Sequence, residues 1–131
     1  MSDTSNDTSA LILVVDDDWM NREMMQAYLD RAGFRVLLGY DAASALAMAR
    51  EHQPQLIMLD VRMGEIDGYD VCRDLKADDV TSHIPVVMLS ALSTDEAHAN
   101  ALEAGAVAFI TKTVNLSHIV AGIRELLDLS T

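Results

Sequence analysis

Five short apolar runs, each followed by a stretch with helical spacing, restrict what this chain can fold into more than any other feature. The runs cover residues 11–15, 34–38, 55–59, 85–89 and 106–110. "LILVV" and "PVVML" show no polar alternation, the pattern of strands buried on both faces. After the first run, Met25, Tyr28, Leu29 and Ala32 fall on one helical face, with Gly33 as the stop. Further helices are predicted over 42–51, 69–77, 94–104 and 116–127, the fourth capped by Thr94 or Ser93 and stopped at Gly105. Such alternation gives a parallel sheet with helices on both faces and right-handed crossovers. The predicted class is α/β, a doubly wound (βα)5 three-layer sandwich.

The chain has 131 residues, enough for one domain with a real core, and half of them are hydrophobic. Disorder is expected only for the polar tail at 1–10, leaving 11–128 as the domain. That tail has no lysine, arginine or long apolar stretch, so it does not read as a signal peptide. No apolar run approaches the roughly 20 residues a membrane span needs. Cys72 is the single cysteine, which excludes an internal disulfide or a cysteine metal cluster. A cytoplasmic protein is expected. The net charge is -12, from 21 acidic and 9 basic residues, with no basic cluster to neutralise nucleic-acid phosphates. Direct contact with nucleic acid is not expected; a cation or a basic partner surface is.

In an open parallel sheet the functional crevice lies beyond the carboxyl ends of the strands. The first run ends at Asp16, Asp17 and Asp18, the third at Asp60, the fourth at Ser90, and the fifth leads to Lys112. The second ends at Leu38 and Gly39, with nothing reactive. Two carboxylates about 4 Å apart repel by roughly 1 kcal/mol in water and about 4 kcal/mol near a protein surface. A hard divalent cation removes that repulsion, and magnesium takes a few carboxylates plus phosphate oxygens. An aspartate in such a site can attack phosphorus and form an acyl phosphate. The metal, an ammonium and a hydroxyl would supply positioning and charge neutralisation. The candidate reaction is phosphoryl capture on Asp60.

Blander readings apply residue by residue. An isolated aspartate triplet is also a solvated turn or a helix cap. Met20, Met24 and Met25 read as core filler, Cys72 as a buried helix residue, and His52, His83, His98 and His118 as surface residues.

The segments "ILVVDDDWMNR", "LIMLDVRMGEIDGYDVCRDLK", "IPVVMLSA" and "GAVAFITKT", in this order and spacing, resemble the receiver domain of two-component response regulators. The resemblance covers nearly all of 11–127. It implies a flavodoxin-like fold, strand order 2-1-3-4-5. It makes Asp60 the phosphoacceptor, not an enzyme's turnover site, with autodephosphorylation by water. Asp16 and Asp17 match the acidic pair serving Mg2+, Asp17 more directly, and Asp60 itself and the backbone carbonyl of Arg62 are implied as further ligands. Ser90 matches the hydroxyl that bonds the phosphoryl group, Lys112 the lysine that pairs with it, and Phe109 the aromatic that moves into the space Ser90 vacates. The face formed by the fourth helix, fifth strand and fifth helix would then change shape. The implied donor is a histidine kinase or a histidine phosphotransfer protein, and Trp19 and Met20 opening the first helix are candidate anchors for it.

Gly64 stands where the family often has proline, which is expected to loosen the loop after the acceptor, and Thr113 replaces the proline after the lysine. Those departures support a rival reading, a pseudo-receiver that binds partners without phosphate. A haloacid-dehalogenase-type phosphatase would want an acid two residues past the nucleophile, where Arg62 stands. A flavodoxin would need a phosphate-cradling loop in place of the acids, and no nucleotide-hydrolase P-loop is present.

Overall fold

The computed structural model describes residues 10–91, 94–111 and 115–130. Its strands are β1 (Leu11–Val15), β2 (Arg35–Gly39), β3 (Leu56–Asp60), β4 (Val86–Ser90) and β5 (Ala108–Thr111). The helices are α1 (Trp19–Arg31), α2 (Ala42–His52), α3 (Gly68–Ala77), α4 (Asp95–Ala104) and α5 (Leu116–Ser130). The main sheet is parallel throughout, in the order β2-β1-β3-β4-β5. That is the doubly wound α/β order expected above.

Alternate side chains of each central strand feed two separate cores. Leu13, Val15, Ile57, Leu59, Val86 and Met88 meet Ala45 and Ala49 of α2, Val71, Cys72 and Leu75 of α3, and Ala101 and Ala104 of α4. On the opposite face Ile12, Val14, Leu56, Met58, Val87 and Leu89 meet Leu29 of α1 and Ile119, Val120 and Ile123 of α5. Every residue of β3 and β4 is buried, whereas all four residues of the edge strand β5 are half-buried. This explains why the central runs show no polar alternation. Each fully buried Leu or Ile contributes about 1.5–3 kcal/mol, so the central strands fix the sheet.

Four strands end one residue later than the apolar pattern predicts, at Gly39, Asp60, Ser90 and Thr111. Asp60 pairs with Leu89 and Ser90 with Thr111, so both polar residues end strands instead of opening loops. Backbone pairing is indifferent to side-chain type, and the ladder simply continues at each of these ends. At the other end of β1, Ala10 is buried and its carbonyl accepts from Arg35 N at 2.8 Å; 1–9 lie outside the described residues.

Aspartates and a threonine start the first four helices. Asp18 accepts from Met20 N at 2.9 Å and so caps α1, which accounts for the third member of the acidic triplet. Asp41 and Ser44 form a reciprocal capping box on α2, Asp67 caps α3, and Thr94 caps α4. Among the described residues, no helix is long and apolar enough to cross a membrane.

Candidate functional site

The first acid beyond β1 is anchored by its own backbone. Asp16 N donates to Gly39 O at 3.1 Å, and Asp16 O accepts from Arg22 Nη1 at 2.7 Å. The Asp16 carboxylate accepts from Asp18 N at 3.0 Å, and only 7% of the residue is exposed. Val15 is level with Leu59 across β1 and β3, so the next residue on each strand brings Asp16 alongside Asp60. Asp60 is 5% exposed, and its Oδ1 accepts from Arg62 N at 3.1 Å. That bond holds the Arg62 backbone against the carboxylate.

The chain after Asp60 then folds into a two-stranded antiparallel ribbon, Arg62–Met63 with Ile66–Asp67. Gly64 is the residue expected above to loosen this loop. Gly64 takes φ +62, a left-handed turn that proline could not adopt, and closes the ribbon. A Cβ at Gly64 would lie 3.1 Å from Asp17 Oδ2, so this loop and the exposed Asp17 meet over the rim. Gly68 has a stricter requirement. A Cβ there would sit 2.1 Å from Asp60 O, so only glycine lets α3 start against the end of β3.

Ser90 ends β4, is 7% exposed, and shares with Asp60 a cleft of about 680 Å³ that also includes Arg62, Asp67, Thr94 and Asn100. Lys112 and Thr113 lie outside the described residues; Thr111, which precedes them, is level with Ser90. Phe109 is level with Met88 and half-buried, with its ring centroid 4.2 Å from that of His98. The four histidines are exposed, as expected.

Trp19 and Met20 are 60% and 63% exposed at the start of α1. The core-filler reading of the methionines holds for Met25, which packs against the core of Leu29, but Met20 and Met24 face solvent. The helix has apolar residues around much of its circumference, and Met25, Tyr28, Leu29 and Ala32 take the side toward the sheet.

Two contributors were not singled out from the sequence. Arg22 bonds the Asp16 carbonyl and stands over the Tyr40 ring at 6.0 Å; its place one turn into the helix after an acidic cluster was the available signal. Tyr69, directly after Asp67 and Gly68, donates its hydroxyl to Ala97 O at 3.3 Å and ties α3 to α4 beneath the cleft. Burial, with the charges of Asp67 and Glu96, pushes the Tyr69 phenol above its ordinary range, so it stays a donor near neutral pH.

Among the described residues, no three histidine, cysteine or carboxylate side chains converge as a closed metal cage. Magnesium asks for less, one or two carboxylates with water and phosphate completing its shell. Asp16 and Asp60 at neighbouring strand ends, with Asp17 above them, suit that donor set.

The family model for the response regulator receiver domain matches residues 12–124. Response regulator PleD of Caulobacter vibrioides is 42% identical over 118 residues, covering 90% of this chain and 26% of that protein. The chain thus spans about a quarter of that relative's length. Polar-differentiation response regulator DivK of Brucella anthropi is 28% identical over 116 residues, 88% of this chain and 94% of that one. The receiver domain of a signal transduction histidine kinase from Syntrophus aciditrophicus superposes with a TM-score of 0.82 at 32% identity, covering 92% and 91% of the two chains. A CheY-like receiver domain protein from Methanospirillum hungatei matches with a TM-score of 0.85 at 24% identity, covering 94% and 97%, a likeness of fold.

Proposed function

This chain belongs to the response regulator receiver domain family of two-component systems, and on that premise we propose that it takes up a phosphoryl group on Asp60. The single observation carrying this reading is the pair of nearly buried carboxylates, Asp16 and Asp60, ending neighbouring strands beside a cleft that also holds Ser90.

An oxygen of Asp60 attacks the phosphorus of a phosphohistidine; the new P–O bond forms as the P–N bond breaks, and the imidazole leaves. The Arg62 N–H on Oδ1 orients the carboxylate, so its rotamer need not be searched for at each encounter. Asp16 and Asp17, with the Arg62 carbonyl, would hold Mg2+. When bound, the ion neutralises charge on the carboxylates and the incoming phosphoryl oxygens. The Ser90 hydroxyl donates to one phosphoryl oxygen and the Lys112 ammonium pairs with another. As Ser90 is drawn toward the acceptor, Phe109 moves into the space it leaves, and the face of α4, β5 and α5 is biased toward a second arrangement. The chain turns over no substrate of its own; water hydrolyses the acyl phosphate and resets it.

The donor in this reading is a histidine kinase or a histidine phosphotransfer protein, docked on the exposed Trp19 and Met20. A lone buried thiol and a strongly acidic surface fit a cytoplasmic protein that does not itself contact nucleic acid. The output is an appended segment or a separate partner.

Incubation with acetyl phosphate and magnesium, followed by intact-mass measurement, should show one added phosphoryl group. Chelating the metal should abolish the addition. A protein unchanged in mass under both conditions would favour the phosphate-independent pseudo-receiver instead. Trp19→Ala should label normally with acetyl phosphate yet accept phosphate more slowly from its protein donor; equal rates with that donor would remove the docking role.

A further inference from the structure

The resting position of Phe109 is defined from two sides. Beside it on the neighbouring strand, at the same level of the sheet, lies the fully buried Met88. Against it stands His98 of α4, with ring centroids 4.2 Å apart and planes inclined by 40°, a close aromatic pair. Strand alternation puts Ser90, two residues beyond Met88, on the same face of the sheet as Phe109. Every residue of β5 is half-buried, so the strand itself confines the ring loosely. The helix presenting His98 is better fixed: Tyr69 donates to Ala97 O at 3.3 Å, and Thr94 Oγ1 accepts from Ala97 N at 3.0 Å. A ring carried by an anchored helix turn thus meets a phenyl ring on a half-buried edge strand.

We propose that His98 is a positioning residue for the aromatic switch: its ring holds Phe109 in the resting place and sets how readily the ring leaves when Ser90 is drawn to the phosphorylated acceptor. This rests on the acceptor role of Asp60. Any contact made only in the resting state opposes activation by its own free energy. One aromatic pair is enough to change the ratio of the two states by roughly 2- to 10-fold.

Phe34 and Phe109 are the only two phenylalanines, and Phe34 lies in the core on the opposite face of the sheet. In protein carrying 13C-labelled phenylalanine, Phe34 is therefore an internal control. His98→Ala should move the Phe109 ring resonances toward their positions in the beryllofluoride complex while leaving Phe34 in place. The same variant should bind beryllofluoride, a tetrahedral phosphoryl mimic, roughly 2- to 10-fold more tightly in the presence of magnesium. His98→Phe, which keeps a ring at the contact, should return both readings toward wild type. Unchanged Phe109 resonances or affinity in His98→Ala would overturn the proposal, as would identical behaviour of the Ala and Phe variants. If the wild-type protein bound no beryllofluoride, the acceptor reading itself would fall, and this inference with it.

Discussion

The two ends of the sheet use polar side chains in different ways. At the amino-terminal end of the strands the polar groups, of which Thr81 is buried, Lys76 half-buried and Gln53 exposed, are donors that reach carbonyls of other elements. Thr81 Oγ1 donates to Leu75 O at 2.6 Å, Lys76 Nζ to Ile84 O at 2.6 Å, and Gln53 Nε2 to Val80 O at 3.1 Å. These bonds join α3, the turn before β4 and the end of α2. At the carboxyl end, the carboxylates of Asp16 and Asp60 each accept a backbone N–H two residues ahead. A bond that joins separate elements stabilises the fold, whereas a bond within one loop mainly aims a side chain. The amino-terminal end therefore holds the domain together, and the carboxyl end keeps acceptor groups ready for a ligand.

Variants can break that division or sharpen it. The largest effect belongs to Asp60→Asn, which should reduce phosphoryl uptake from acetyl phosphate to background while the melting temperature stays level or rises. A large fall in stability would show that the rim acid is structural after all. Next is Gly68→Ala, a rim residue that should behave structurally. Its Cβ would meet Asp60 O at 2.1 Å, and urea unfolding should register a loss of about 3 kcal/mol together with impaired labelling. Thr81→Val at the opposite end leaves the Leu75 carbonyl without its hydroxyl donor. It should cost about 1–3 kcal/mol by the same measurement and leave uptake by the folded protein unchanged.

The smallest effect concerns Cys72, whose thiol donates to Ala104 O at 3.4 Å and is pushed above its ordinary range by burial. The folded-state value is raised above that of the unfolded chain, so this contribution to stability is fully present below the ordinary thiol range. It is lost as pH rises through the raised folded value. Above pH 9.0, the thiol's unperturbed value, the unfolding midpoint of wild type should fall more steeply than that of Cys72→Ala. Parallel curves would deny the thiol's burial any role in alkaline stability.

The helical stretches and buried strands were legible because continuous apolar runs and capping residues are local signals. Asp60 and Ser90 could be found because each follows such a run directly. The ribbon after Asp60 was not legible, since two-residue strands have no periodicity; "MGEIDG" gave only two glycines, and the handedness at Gly64 depends on where the flanking residues must go. Spacing set Met25 on one face with Tyr28, Leu29 and Ala32, but the core-filler reading of Met20 and Met24 ignored it. Adjacent helix positions point about 100° apart, so Met24 turns away from the face that Met25 joins.

The amino-acid sequence by itself determined the alternation of elements and the kinds of side chain delivered to the strand ends, because hydrophobic period and capping chemistry act over a few residues. Tertiary structure alone decided that Asp16 comes level with Asp60, that Gly68 yields to a backbone carbonyl, and that His98 meets Phe109. Those contacts join residues far apart along the chain, and their geometry is set by strand register and helix packing, which no local pattern specifies.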